Sequence, residues 1–251
     1  NMDNENLNNN YKQIEFIMNE DKQIDKGETI ERSPRIEIDF SLSGPTNLSK
    51  FFEGSNVVSI DFSYFNSSFV TDMSHMFSNC ASLVNITFGN FDTSKVEDMS
   101  YMFYSCNKLE SINLTKFDTS NVINMESMFS SCSILTSIDL SSFNTISVKN
   151  MDSMFYSCNK LDSIGLSNLN TSSVSNMRYM FYDCIKLESI DISKFDTSSL
   201  NNIESMFNSC SNLKSITLPN FNKSSITNMA YTFNNCEKLE SLDLTNFITE
   251  S

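Results

Sequence analysis

Seven cysteines, Cys80, Cys106, Cys132, Cys158, Cys184, Cys210 and Cys236, follow one another at intervals of 26 residues. Thiols on so regular a ruler could form a disulfide ladder, hold a soft metal, or lie free in an apolar column. The number is odd and each cysteine takes the same slot beside Met and Phe. That favours buried free thiols acting as small hydrophobes, and it leaves the compartment open. Twelve of the fourteen methionines fall in two more columns, Met73, Met99, Met125, Met151, Met177 and Met229, and Met76, Met102, Met128, Met154, Met180 and Met206. Thioether ligation of copper or haem is the chemical alternative there. A packed core is the stronger reading, because each Met has a Phe and a Cys beside it on one stripe.

Little else could do covalent chemistry. His75 is the single histidine, lies between Met73 and Met76 off the apolar stripe, and is expected to be exposed. No Gly-x-Ser-x-Gly motif or phosphate loop occurs among the five glycines, and no unit departs from the pattern to build a cleft for paired carboxylates. No enzyme and no catalytic, cofactor-binding or metal-binding residues are expected.

The columns facing water are the candidate binding surface. One reads Asp61, Thr87, Asn113, Asp139, Gly165, Asp191, Thr217, Asp243. Of these, Asp61, Asn113, Asp139, Asp191, Thr217 and Asp243 are the candidate partner-binding residues, with a plain solvated face as the alternative. The flanking columns are mostly Ser and Thr. This face lacks the Trp, Tyr and Arg that anchor strong protein interfaces, so its affinity must come from many weak contacts or from a basic partner. Calcium bridging between stacked Asp residues is a weaker alternative, since the oxygens are not clustered in a known loop.

These columns need a repeating scaffold. The unit is Phe117–Ser142, and Phe143 begins it again; the ruler holds from Phe65 to Phe247 without insertion or deletion. Leu135, Ile138 and Leu140 end a strand with one buried face, and successive strands must be parallel because every unit runs the same way. Phe-Asp-Thr-Ser is turn chemistry, and Val122 and its equivalents point inward after it. Met125, Met128, Phe129, Cys132 and Leu135 recur at i, i+3, i+4, i+7 and i+10, which predicts a helix of about two turns. The residue before it is Asp72, Asp98, Asn124, Asn150, Asn176, Asn202 or Asn228, a preferred N-cap. With Ile138, Leu140 and Phe143, those five residues form the expected structural core. A unit this small cannot stand alone and must stack.

Three parts are expected: a partly disordered lead-in, 1–34; a cap and degenerate repeat, 35–64; and seven units with the start of an eighth, 65–251. Tyr11–Met18 alternates weakly as a strand would, and Arg35–Phe40 alternates well. Both look like a cap over the first repeat. In the degenerate unit, subtracting 26 places Phe51 under Phe77, Gly54 under Cys80, Val57 under Leu83, Ile60 under Ile86 and Phe62 under Phe88, with Asn47 and Lys50 in the Met slots.

Acidic residues outnumber basic ones 31 to 17, giving a formal charge of −14. Nucleic acid and anionic lipid are therefore poor partners, and no apolar run is long enough to span a bilayer.

Leu-x-x-Ile-x-Leu-x-x-Phe reads like the leucine-rich-repeat signature, with Phe117 where Asn is usual. Phe-Asp-Thr-Ser-Asn-Val-x-Asn-Met-x-x-Met-Phe-x-x-Cys-x-x-Leu closely resembles the BspA-like family of leucine-rich repeat surface proteins, in its mycoplasma, lactobacillus and protist version. The resemblance covers Pro45–Thr249 and implies an α/β solenoid, a right-handed superhelix with a parallel strand and a short helix in each unit. It implies cell-surface or secreted display and adhesion to a protein or extracellular-matrix ligand; the sequence alone also allows the cytoplasm. The alternative is a structural repeat that self-associates end to end, since Phe247–Ser251 reads as an uncapped end.

Overall fold

The computed structural model describes residues 13–18, 35–39, 46–221 and 225–245. The expectations for Asn1–Asn10, Asn19–Pro34 and Phe247–Ser251 lie outside the described residues. Two sheets occur among them. The first contains β1 (Gln13–Met18), β2 (Arg35–Asp39), β3 (Val57–Asp61) and β4 (Asn85–Thr87) in the order β2-β1-β3-β4. The second pairs β5 (Ser189–Asp191) with β6 (Ser215–Thr217).

Unit-to-unit pairing is parallel, with Ile60 opposite Ile86 and Ile190 opposite Ile216. β1 lies antiparallel to both β2 and β3. A foreign strand thus occupies the backbone edge that the first unit would otherwise present to water. The corresponding segments of three consecutive middle units are not strands. Their outward slots hold Asn113, Asp139 and Gly165, although Asp61 and Asp191 fill the same slot inside β3 and β5.

The continuous spine lies on the other side of each unit. Parallel bridges join Asn47, Asp72, Asp98, Asn124, Asn150, Asn176, Asn202 and Asn228 in one unbroken series. Beyond them the N–H groups of Met125, Ser127 and Phe129 donate to the carbonyls of Asn150, Asp152 and Met154 at 3.0, 2.8 and 2.9 Å. The intervening N–H groups of Met128, Ser130 and Cys132 close turns onto Met125, Ser127 and Phe129 at 3.3, 3.1 and 3.1 Å.

The expected helix at Met125–Leu135 is not formed, and no helix occurs among the described residues. The segment is instead a chain of turns with Ser127 and Ser131 at φ of 52° and 61°. The same two slots are left-handed in every unit, from His75 and Asn79 to Tyr231 and Asn235. A two-turn helix leaves most of its terminal N–H and C=O groups unpaired, whereas this backbone gives every second N–H to the next unit. It also repeats every four residues, returning Met125 and Phe129 to the core at nearly helical spacing. That coincidence gives the sequence its helical look.

The degenerate unit carries a second correction. It is one residue short, so its register against the next unit is 25 over part of its length. Asn47 bridges Asp72, the rings of Phe52 and Phe77 stack at 5.6 Å and 10°, and Ser55 Oγ lies 3.5 Å from Cys80 Sγ. Phe52, rather than Phe51, therefore underlies Phe77. Phe52 is 5% exposed and Phe51 38%. The register returns to 26 at Ile60.

Inside, all the expected core residues from Met125 to Phe143 are buried. The rings of Phe77, Phe103, Phe129, Phe155, Phe181 and Phe207 stack in a column, with centroids 5.4 to 5.6 Å apart. Offset stacking of this kind adds to the area term of aromatic burial.

Candidate functional site

The six strand-face candidates lie where the alternation puts them. Asp61 is half-buried, and Asn113, Asp139, Asp191, Thr217 and Asp243 are exposed. Asp61 stands opposite Thr87 and Asp191 opposite Thr217 across the parallel pairs. The column therefore runs along the stack, with a rise of about 4.8 Å per strand.

The acidic members also have a local task that composition does not reveal. Oδ1 of Asp61, Asp139, Asp191 and Asp243 accepts the backbone N–H two residues on, at 2.8 to 2.9 Å. Asn113 does the same with Thr115 at 3.1 Å. Each starts a turn after its outward slot, and at Asp61 and Asp191 that slot is the last residue of a strand. The bond to Ser141 holds the Asp139 carboxyl below the usual carboxylate range, and Ser193 and Thr245 do so for Asp191 and Asp243.

Asn113 borders a hollow of about 320 Å³ lined also by Ile86, Thr87, Phe88, Gly89, Lys116 and Phe117. Gly89 is required there. Its φ is +55°, and an added Cβ would come within 2.6 Å of Ser63 Cα.

The cysteine column is a ladder of free thiols. Each Sγ–H donates to a Phe carbonyl of the preceding unit: Cys106 to Phe77 at 3.2 Å, Cys132 to Phe103 at 3.1 Å, Cys158 to Phe129 at 3.2 Å. Burial pushes the Cys132 thiol up to about 12. Burial likewise carries Cys106, Cys158 and Cys184 well above the ordinary range. Such thiols are poor nucleophiles and poor metal ligands. Among the described residues, no group of three His, Cys, Asp or Glu side chains is placed to hold a metal ion. His75 is half-buried, with its ring 4.6 Å from that of Tyr101 at an interplanar angle of 2° and its Nδ1 3.8 Å from Glu53 Oε1.

Two features were outside the sequence expectations. Thr93, Thr119, Thr145, Thr171 and Thr197 are buried, and each hydroxyl donates to a carbonyl of the next unit at 2.8 to 3.0 Å. The second is aromatic. Tyr101, Tyr104, Tyr156, Tyr179 and Tyr182 are half-buried on the outside of the turn segment, beside Glu126, Arg178 and Glu204. These five tyrosines lie on the turn face and not in the outward column. The signal was available on the same ruler, since Tyr101 and Tyr179 share one slot and Tyr104, Tyr156 and Tyr182 another.

A family described as "Mycoplasma protein of unknown function, DUF285" matches residues 46–163 and again 133–247. Together the two matches run over the whole stack of units. No curated protein and no solved structure matches the chain.

Proposed function

The chain belongs to this Mycoplasma family of unknown function, DUF285, and on that premise we propose that it is a non-catalytic binding module. Its strand face meets another macromolecule at a cell surface or after secretion. Within the family we assign it to the BspA-like group, on the Phe-Asp-Thr-Ser-x-Val-x-Asn-Met motif. We take the stacked units to be a solenoid, with turns in place of the helix. A right-handed sense follows from the strong bias of parallel crossover connections. Eight rungs at about 4.8 Å give a rod of about 40 Å, which small-angle scattering would reveal as an elongated particle.

The observation that carries the functional proposal is the exposed column Asp139, Asp191 and Asp243 on a chain of charge −14. Negative side chains at fixed intervals suit a basic protein or matrix ligand, through many weak and salt-sensitive contacts.

The test is a triple variant, Asp139→Asn, Asp191→Asn and Asp243→Asn. Asn keeps the Oδ1 acceptor for the turn N–H, so stability at neutral pH should change little. Binding to a basic matrix protein should weaken, and wild-type binding should fall with added salt. Equal binding by the variant at every salt concentration would reduce the column to a solvated face.

A further inference from the structure

Two constellations three 26-residue periods apart are copies of each other at four residues. In one, Tyr179 OH donates to Glu204 Oε1 at 3.4 Å and Asn228 Nδ2 to Glu204 Oε2 at 2.9 Å. Tyr182 lies 5.6 Å from the Tyr179 ring. In the other, Tyr101 OH donates to Glu126 Oε1 at 2.6 Å and Asn150 Nδ2 to Glu126 Oε2 at 3.0 Å. Tyr104 lies 5.7 Å from the Tyr101 ring.

The residue before the first tyrosine differs. In one copy it is Arg178, whose guanidinium carbon stands 4.4 Å over the Tyr179 ring. Its Nη2 donates to Tyr179 OH at 3.1 Å. Its buried Nε is 3.4 Å from Glu204 Oε2, an ion pair not aligned as a hydrogen bond. In the other copy that residue is Ser100. One ring–carboxylate corner thus holds the chain's own guanidinium, while its twin has the ring, the carboxylate and the same amide donor beside a short side chain.

We propose that the corner formed by Tyr101 and Glu126 binds an arginine side chain of a partner protein. Arginine fits because its flat guanidinium can lie on a phenol ring within ion-pair distance of a carboxylate, the arrangement Arg178 makes in cis. A lysine ammonium has no flat face for the ring. His75 comes from the preceding unit and covers one face of Tyr101, whereas Glu126 comes from the following unit. The guanidinium therefore enters on the Glu126 side. Burial raises the Tyr101 phenol above its ordinary range, which keeps it protonated as donor to Glu126. This site is separate from the strand face and does not depend on it.

The test uses the full chain with a fluorescent hexa-arginine peptide and, as its control, hexa-lysine of equal charge. Arginine is expected to bind about fivefold tighter than lysine. Glu126→Gln and Ser100→Arg should each remove that preference, the second by filling the corner from within. Arg178→Ala should empty the twin and add one binding equivalent. Thermal melts check that each variant folds, and the near-isosteric Glu126→Gln serves if Ser100→Arg does not. Asp139→Asn should leave the arginine preference intact. Equal binding of the two peptides overturns the proposal, as does an arginine preference that survives Glu126→Gln. So does a preference lost with Asp139→Asn alone, which would assign the contact to the strand face.

Discussion

The hydroxyl of Thr119 and the peptide of Asn144 in the next unit hold each other twice. The Oγ1–H donates to the Asn144 carbonyl at 2.9 Å, and Oγ1 accepts the Asn144 N–H at 2.9 Å. Thr119 is buried, so Thr119→Val keeps the shape and strands two backbone groups at once. Stability should fall by about 1–3 kcal/mol, read from urea unfolding. Thr119→Ser keeps the hydroxyl and should lose clearly less. A valine variant as stable as wild type would strip this ladder of its role.

The left-handed slot at Ser127 gives a second expectation, opposite in sign to that of a helix. Ser127→Gly removes the Cβ from a φ of 52° and should be neutral or mildly stabilising. Ser127→Val should cost about 1–3 kcal/mol. In a helix glycine would be the costly change. Melting curves of the two variants decide between the backbones, and far-ultraviolet circular dichroism should lack a helical signature.

Thiol reactivity reports the buried ladder. Cys132 is fully buried and its thiol is pushed up to about 12, so a thiol reagent at mild alkaline pH should leave it untouched until the protein unfolds. Cys236 is only partly buried and should be the first to react. Rapid modification of Cys106 or Cys132 in folded protein would contradict the buried column.

Acid should loosen the turns that follow the outward column. The Asp139, Asp191 and Asp243 carboxyls are held below their ordinary range by the bonds from Ser141, Ser193 and Thr245. A depressed carboxyl contributes stability that is fully present above its unfolded value, about 3.9. That contribution is lost as pH falls through the lower folded value. The triple Asn variant should therefore show a flatter dependence of melting temperature on pH below about 4. Parallel curves for the two proteins would show that these bonds contribute nothing.

Core truncation should act through packing alone. Met128 and Met154 are fully buried, and Met128→Ala with Met154→Ala should cost about 2–5 kcal/mol each through the cavities left behind. Per molecule still folded, binding at the strand face should be unchanged.

The columns were legible in the sequence because an unbroken period needs no alignment, and the buried places of Cys132, Met128, Phe129 and Phe143 follow from it. The backbone between them was not legible. Turns repeating every four residues and a helix put Met125 and Phe129 on the same side, and only the hydrogen bonds tell them apart. In the degenerate unit, the Phe51–Phe52 doublet offered two registers, and a one-residue deletion chose the second. The Tyr101–Glu126 corner escaped the pattern because its partners belong to different units, 25 positions apart, and no single repeat contains both. Thr119 looked like an ordinary turn residue for the same reason, since its partner lies in the next copy.

The uniform register has a consequence for the gene. Among the described residues, from Phe77 to Cys236, every junction presents the same groups: a stacked Phe ring, a thiol under a carbonyl, and an Asn or Asp bridge. A recombination event that deletes or duplicates 26 codons between any two equivalent positions rejoins surfaces that already match. Such an event adds or removes 26-residue units without creating a new kind of junction, while it reshuffles the surface residues displayed along the series.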